Sequence, residues 1–555
     1  MTKKAWWKEA VVYQIYPRSF MDSNGDGIGD LNGINARLDH LEALGIDVIW
    51  ICPMYKSPND DNGYDIADYH AIMDEFGTMA DFDRLIEAVH DRGMRLILDL
   101  VVNHTSDEHA WFIESRASKN SPKRDWYVWR DGKDGREPNN WECIFKGSAW
   151  QFDEATGQCF LHLFSPRQPD LNWENPEVCS AINDMVCWWL DKGIDGFRLD
   201  AVSHMKKAPG LPDLPNPEGL EHVPSWDMHM NVDGVLDYME DLCRNSFRHY
   251  DIMTVGEANG VSAEQARDWV GAEHRRLNMI FQFEHLKLWA NDPHAGLDLV
   301  ALKRVFTHWQ ETLHGVGWNA LFLENHDIPR IVSTWGDPEH YWRESSTALA
   351  TMYFLMQGTP FIYQGQEIGM TNLRFDGIED FNCVFARNDF SIQQAKGVPV
   401  EEIIAALAVT ARDNSRTPMQ WDASPNAGFT AGAPWIKVNP NYPDINVAQQ
   451  EVDPDSVLSY YRRLITLRKR EPVLVHGRYG LLMEADPQIY AYTRTLDGQQ
   501  IVVITNLSGD EADYHHPGIG LPHGGLLLAN YPVAPHALSD RARLRPYEAR
   551  VYRLG

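Results

Sequence analysis

The sequence predicts an α/β protein, a (β/α)8 TIM barrel with an inserted subdomain after strand three and a C-terminal antiparallel β-sandwich. Three observations carry that expectation. Eight short, β-branched apolar runs recur along the chain, each is followed by loop residues and then a helical pattern, and the long interruptions follow strands rather than helices.

The runs are VVYQIYP from 11, DVIWICP from 47, LILDLVVNH from 96 and IDGFRLDAVSH from 194, then IMTVGEA from 252, LNMIFQFEH from 277, NALFLENHD from 319 and TPFIYQGQEIG from 359. Helical stretches such as DFDRLIEAVHDRG at 81 and AINDMVCWWLDKG at 181 separate them. Near-continuous apolar strands alternating with helices imply a parallel sheet covered on both faces. Eight such units close a barrel, spanning 1–104 and 174–479. Between the third and fourth strands, 105–173 is rich in Gly, Asn and aromatic residues with little helical period, which reads as the inserted subdomain. A second insertion, roughly 370 to 430, follows strand eight, and the proline-rich APGLPDLPNPEGLEHVP follows strand four. All three rise from strand C-termini, the face on which barrels build active sites. After a helix near VLSYYRRLITLRKRE the tail alternates in strand fashion, and 480–555 reads as the β-sandwich.

With 555 residues and 44% hydrophobic composition, the chain can bury a large core. Its 50 basic and 79 acidic residues give a net charge of −29, which repels nucleic acid and anionic membranes alike. The N-terminus lacks the apolar stretch and cleavage site of a signal peptide, and no apolar run reaches the 18 or so residues of a membrane span. Seven cysteines stand singly, with no CxxC pair, so neither a disulfide framework nor a zinc site is indicated, and a reducing cytoplasm fits best.

Polar residues at the strand ends are the catalytic candidates in a barrel. Strand three ends in Asp99, Asn103 and His104, strand four in Arg198, Asp200 and His204, strand five in Glu257, and strand seven in Asn325, His326 and Asp327. Any one of the carboxylates reads equally well as a loop cap or a salt-bridge partner. Asp200, Glu257 and Asp327 together, with His104, His326 and Arg198 beside them, read as a site. Paired carboxylates suit glycoside hydrolysis, in which one acid protonates the leaving oxygen and the other supports the oxocarbenium-like centre. Arg198, two residues before Asp200 and so on the same strand face, is expected to keep Asp200 ionised. Glu257, after the apolar MTV, is expected to have its pKa raised and to serve as the acid.

These segments resemble the conserved regions of the α-amylase family of glycoside hydrolases, and more closely its oligo-1,6-glucosidase and α-glucosidase branch. DLVVNH, GFRLDAVSH, VGEA, FLENHD and the QPDLN at 168–172 carry the resemblance, which covers essentially the whole chain. It implies a retaining double displacement with Asp200 as nucleophile, Glu257 as acid and base, and Asp327 as transition-state stabiliser. It also implies that His104, His326, Arg198 and Phe164 hold the same sugar. Tyr64 and Asp65 come from NGYDIADY and Arg412 from ARDNSRTPMQW. By the same resemblance, Asp65 and Arg412 grip the 4-hydroxyl of a terminal glucose and enforce exo action.

Within that branch, Ala201 after the nucleophile and Asn259 in GEANG resemble the members that prefer α-1,4 bonds. The expected substrate is therefore a short α-1,4-linked glucoside such as maltose, with some transglucosylation. The alternatives are oligo-1,6-glucosidase action on isomaltose-type sugars, or glucosyl transfer of the sucrose isomerase and trehalose synthase kind. Where many amylases carry Lys-His, this chain has Ser203-His204.

The loop MDSNGDGIGDL, from 21, places Asp22, Asn24 and Asp26 at the spacing of an EF-hand's first ligands. Gly33 occupies the twelfth position, where an EF-hand needs a bidentate Glu, and the flanks are not a helix pair. A lone metal loop after a strand is the better reading. The resemblance implies one structural Ca2+ (or Mg2+) held by Asp22, Asn24, Asp26, the Ile28 carbonyl and Asp30, with no organic cofactor. The expected partner is an oligosaccharide substrate, with no nucleic acid and no membrane, in a monomer or small homo-oligomer.

Overall fold

Side-chain alternation on the eight predicted strands sets the architecture. The computed structural model describes residues 5–273, 276–290, 296–522, 525–534 and 539–554. Its barrel strands are β1 (Val12–Ile15), β2 (Val48–Ile51), β3 (Arg95–Val101), β4 (Gly196–Asp200), β5 (Met253–Glu257), β6 (Met279–Phe281), β7 (Ala320–Leu321) and β8 (Thr359–Tyr363). They run in the order β6, β5, β4, β3, β2, β1, β8, β7. Every neighbouring pair is parallel, and a parallel bridge between Ile280 and Asn319 closes β6 against β7. All eight expected strands are present.

One face of each strand fills the barrel: Val12, Val48, Trp50, Ile97, Val255, Met279, Phe281 and Phe361 form one buried cluster. The other face packs on the helix shell, where Tyr13, Ile49, Leu98, Phe197 and Leu199 join a second cluster. The two helices expected from their apolar spacing are Met79–Asp91 and Pro176–Asp191. A reciprocal capping box between Thr78 and Asp81 starts the first, and the Asn175 side chain caps the second, with Pro176 at its first position. β7 is shorter than NALFLENHD implied. The chain leaves the sheet so that buried Glu324 can accept the Ile331 N–H at 2.7 Å and pair with Arg330 at 3.1 Å.

Within 105–173, Trp129–Arg130, Trp150–Asp153 and Gln158–Leu161 form a three-stranded antiparallel sheet with its own core of Trp141, Phe145, Trp150 and Leu161. The proline-rich loop lies against it, as Val223–Pro224 pairs in parallel with Trp141–Glu142. QPDLN ties this segment to the barrel. Asp170 Oδ2 accepts from Lys207 Nζ at 2.6 Å and Asn103 Nδ2 at 3.1 Å, while Oδ1 accepts the Leu163 N–H at 2.9 Å. The insertion after β8 holds two helices, Val384–Ala395 and Val400–Thr410, around Phe381, Ile403 and Leu407. Helix Val457–Arg470 leads to a five-stranded antiparallel sheet beginning at Arg478, accompanied by a two-stranded sheet of Ala512–His515 and Arg541–Leu544. Among the described residues no helix is long and apolar enough to cross a membrane. All seven cysteines are free thiols.

Candidate active site

The parity of β4 decides the centre of the site. Phe197 and Leu199 face the helices, which turns Arg198 and Asp200 inward, as expected from their spacing. The register places Arg198 beside Asp99 of β3 and Leu199 beside Gly256 of β5. Asp200 and Glu257 therefore end neighbouring strands.

Arg198 is the hub. Its Nη1 donates to Asp99 Oδ1 and Asp200 Oδ1, both at 2.8 Å, and its Nη2 donates to Glu257 Oε2 at 2.6 Å. Arg198, expected to keep Asp200 ionised, does bond Asp200, but one guanidinium divides its charge among three carboxylates. Burial pushes the Asp200 carboxyl well above the ordinary range, with Arg198 opposing and Glu257, Asp99 and Asp327 adding to the rise. Asp99, accepting also from Trp50 Nε1 and the Tyr64 hydroxyl, is raised by burial to about 6 against the pull of Arg198. The apolar setting expected for Glu257 is corrected, since Oε2 accepts the Ala201 N–H at 3.0 Å besides its ion pair. Ala201 reaches it from a left-handed conformation, φ 44° and ψ 31°.

Asp327 is held by the other two guanidiniums, Arg416 Nη2 at 2.9 Å and Arg412 Nε at 3.4 Å. Burial alone would raise its carboxyl, but Arg412, His326, Arg416 and Arg198 together hold it far below the usual range. Arg412 Nη1 also lies 3.7 Å from Asp61 Oδ1, and its guanidinium stands over the Phe145 ring. Asp61 is raised to about 6 by burial, which Arg412 and Arg416 oppose.

A cavity of about 260 Å³ opens at this end of the barrel. Of the expected residues, Tyr64, His104, Phe164, Asp200, Ala201, Glu257, Asn259, Asp327 and Arg412 line it. Phe164 packs against His104 with ring centres 4.9 Å apart, and burial lowers His104 to about 4, so the imidazole is neutral.

Two expected sugar contacts are corrected. Asp65 is fully buried, with its two carboxylate oxygens accepting the Asp60 and Asp61 N–H groups at 2.8 and 3.0 Å; it braces the loop that points Asp61 into the cavity. His326 lies behind Tyr64, its ring stacked at 5.3 Å, with Nε2 2.6 Å from the Tyr64 hydroxyl and Nδ1 2.7 Å from Gln14 Nε2. Burial lowers it to about 3. A neutral His326 accepting from Gln14 donates to Tyr64, which donates on to Asp99.

Sequence reasoning missed Asp61, Arg416, Phe145, Trp226 and Phe283. Arg416 carried a signal, standing four residues after Arg412 in the same motif. Asp61 also receives Gln168 Nε2 at 3.2 Å, which gives QPDLN a direct hold on the cavity wall.

In the loop after β1, Asp22 Oδ1 accepts the Asn24 and Gly25 N–H groups and Oδ2 accepts those of Gly27 and the Thr430 hydroxyl. Asn24 accepts from Asp26, Asp26 accepts from Ile28, and Asp30 caps helix Leu31–Ala36. Gly27 is required: its φ is 95°, and a Cβ there would meet the Ala433 carbonyl at 1.8 Å. The donors are hard oxygens of the kind Ca2+ and Mg2+ prefer, so the residues fit such an ion. Among the described residues, no three or more His, Cys, Asp or Glu side chains are gathered as a metal cluster.

So much carboxylate at a barrel mouth, neighboured by aromatic rings, defines a class of enzyme that cleaves glycosidic bonds, a glycoside hydrolase. The family follows from comparison. Residues 14–477 match the alpha-amylase catalytic domain, and the chain belongs to that family. It is 56% identical over 550 residues to "Probable oligo-1,6-glucosidase 3" of Bacillus subtilis, covering 99% of both chains. It is 54% identical to an oligo-1,6-glucosidase of Halalkalibacterium halodurans, covering 99% of this chain and 98% of the other. The crystal structure of an isomaltulose synthase from Protaminobacter rubrum superimposes with a TM-score of 0.94 at 43% identity, over 100% of each chain.

Proposed function

We propose that this protein is a retaining, exo-acting α-glucosidase that removes glucose from the non-reducing end of short α-glucosides. The observation that carries the reading is Arg198 hydrogen-bonded to Asp200 and Glu257 at once. Two carboxylates within the span of one guanidinium, on adjacent strands about 4.8 Å apart, suit the retaining spacing of about 5 Å rather than the inverting 6.5–9.5 Å.

Asp200 attacks the anomeric carbon while Glu257 gives its proton to the departing oxygen, leaving a glucosyl ester on Asp200. Water, deprotonated by Glu257, then displaces the ester, and the two inversions return the α-anomer. Five acids, Asp61, Asp99, Asp200, Glu257 and Asp327, face three guanidiniums, Arg198, Arg412 and Arg416. That excess of negative charge favours the positive charge that develops on the sugar ring. Asp327 and the Asp61–Arg412 pair line the same cavity; we take that pair to stop the sugar chain at one glucose, which is exo action.

The relatives named oligo-1,6-glucosidase lead us to take short α-1,6-linked glucosides such as isomaltose as the substrate, in place of the α-1,4 preference expected from Ala201 and Asn259. One observation favours the α-1,4 reading instead: the small Ala201 on the cavity wall beside Glu257. An assay on isomaltose, maltose, maltotriose and sucrose, following glucose and its anomeric form with Asp200→Asn as control, tests the proposal. Fast α-glucose release from isomaltose supports it. Preference for maltose moves the protein to the second reading, β-glucose sinks the retaining mechanism, and isomerised sucrose without glucose points to transfer.

We further take the loop from Asp22 to Asp30 to hold one structural Ca2+ or Mg2+ through Asp22, Asn24, Asp26, the Ile28 carbonyl and Asp30, away from the reacting atoms. The seven free thiols support a reducing compartment, the cytoplasm.

A further inference from the structure

The large apolar side chains most exposed on the described surface are Ile113, Phe152, Trp188, Leu220, Trp226, Val316, Val400 and Val452. Of these, Trp226 alone lines the cavity, and it is 39% exposed. An indole left open at the mouth of a polar, acid-lined cavity loses hydration free energy that a ligand face can recover.

Its position relative to the reacting groups is defined. Asp61, Arg412 and Asp327 are tied to one another on one wall. Trp226 stands beside two histidines: its ring centre is 6.3 Å from that of His204 and 5.8 Å from that of His229. His204 follows Ala201 on the same turn, and the Ala201 N–H bonds Glu257. Of the residues that line the cavity, Trp226 is the exposed one, so it stands at the open mouth, the side from which the leaving sugar departs in an exo-acting site.

The mount is firm. Val223–Pro224 pairs with Trp141–Glu142, the Ser225 hydroxyl donates to the Glu142 carbonyl at 2.8 Å, and the Trp226 carbonyl accepts the Met230 N–H at 2.8 Å. His204 Nδ1 and His229 Nδ1 lie 2.9 Å apart, and His229 Nε2 lies 3.2 Å from the Ser225 hydroxyl, so the two rings beside the indole are fixed from behind.

We infer that Trp226 is the platform on which the second sugar ring of the substrate stacks, and that it holds an acceptor sugar in the same place when glucose is transferred. The inference rests on the α-glucosidase reading. In transfer, an acceptor hydroxyl loses its proton to Glu257 as its oxygen replaces the Asp200 ester oxygen on the anomeric carbon. A face offering only C–H contacts recognises a pyranose ring without selecting its hydroxyl pattern.

The test compares a disaccharide with α-glucosyl fluoride, which has no second ring. For Trp226→Ala the ratio of kcat/KM on isomaltose (or on maltose, whichever the wild type prefers) to kcat/KM on the fluoride falls about tenfold. The fraction of glucose transferred rather than released falls with it, and Trp226→Phe restores most of both. A ratio that stays constant, whether both activities fall together or neither moves, overturns the inference. Wild-type protein that cleaves neither substrate overturns the α-glucosidase reading instead, so the two failures are distinct.

Discussion

Arg198 Nη2 lies 2.6 Å from Glu257 Oε2, closer than the same guanidinium lies to Asp99 or Asp200 at 2.8 Å. The two reacting carboxylates are thus spaced and oriented by one planar fork, which an ammonium cannot imitate. Arg198→Lys keeps the charge and loses the geometry. The expected result is a fall in kcat of about 10²–10³-fold on α-glucosyl fluoride, with an unchanged circular dichroism spectrum. Retained activity would mean that a point charge is sufficient and that the fork does not set the spacing.

Burial raises Asp200 above the ordinary carboxylate range, and a nucleophile must be ionised. A carboxyl with a raised folded-state pKa is protonated, and so inactive, over a window that begins above the usual value of about 3.9. Activity is lost as pH falls through that window. The acid limb of the kcat/KM profile is accordingly expected well above pH 4. An acid limb at or below that value would show that Arg198 outweighs burial at Asp200.

Two acids of the NDDNGYDIADY segment, Asp61 and Asp65, separate by experiment. Asp61→Asn removes the carboxylate that faces Arg412 in the cavity and is expected to lower kcat/KM by about 10²-fold. Asp65→Asn acts on stability. The Asp65 carboxyl is raised to about 7 by burial, against an unfolded value of about 3.9, so its ionisation weakens the folded state as pH rises between those values. The neutral Asn escapes that loss. Relative to wild type, its stability should improve from pH 5 to pH 8 by something on the order of 2–4 kcal/mol, read from melting temperatures at both pH values. An Asp65→Asn protein that loses activity as severely as Asp61→Asn would return Asp65 to the sugar.

If the loop from Asp22 to Asp30 holds Ca2+ or Mg2+, chelation removes a ligand of the folded state. At an ion concentration a hundred times its dissociation constant, that ligand contributes about 2.7 kcal/mol. EDTA should lower the melting temperature, and added Ca2+ or Mg2+ should restore it. Asp26, whose carboxylate accepts the Ile28 N–H, makes fewer side-chain hydrogen bonds than Asp22 or Asp30 and is the ligand whose loss disturbs the loop least. In Asp26→Asn the response to EDTA should shrink or vanish. A melting temperature indifferent to EDTA and to both ions would leave the loop braced by its own hydrogen bonds.

What the sequence disclosed and what it withheld divide along physical lines. β1–β8 are mostly apolar, largely buried runs, and period-two alternation places Arg198 and Asp200 inward together. Loops have no such period. Three acids, Asp60, Asp61 and Asp65, stand in and around one turn, and only the folded backbone, with Asp65 accepting two N–H groups, shows that Asp61 points to the cavity. Phe145 and Trp226 come from segments distant in sequence from any barrel-strand end, so nothing local marked them. Glu257 ends β5 at the cavity, but its partner comes from the neighbouring strand, and the apolar MTV before it says nothing of Arg198.

Ala201 offers the sharpest test of linkage. It holds φ at 44°, sits on the cavity wall and gives its N–H to Glu257. Ala201→Val adds two methyl groups at the point where the leaving sugar meets the wall. A β-branched residue in a left-handed conformation costs about 1–2 kcal/mol, so the melting temperature should fall by a few degrees. The effect on substrates should be unequal. An α-1,4 bond attaches the second ring directly through a ring carbon, whereas an α-1,6 bond interposes a methylene that carries the ring away from the wall. The added methyls therefore obstruct maltose more than isomaltose, and discrimination of this size is typically about 10–200-fold. The ratio of kcat/KM on isomaltose to that on maltose should rise by at least about tenfold over wild type. A ratio that does not move, in a protein that still folds, would take the choice of linkage away from this wall and leave it with the residues farther along the leaving-group side.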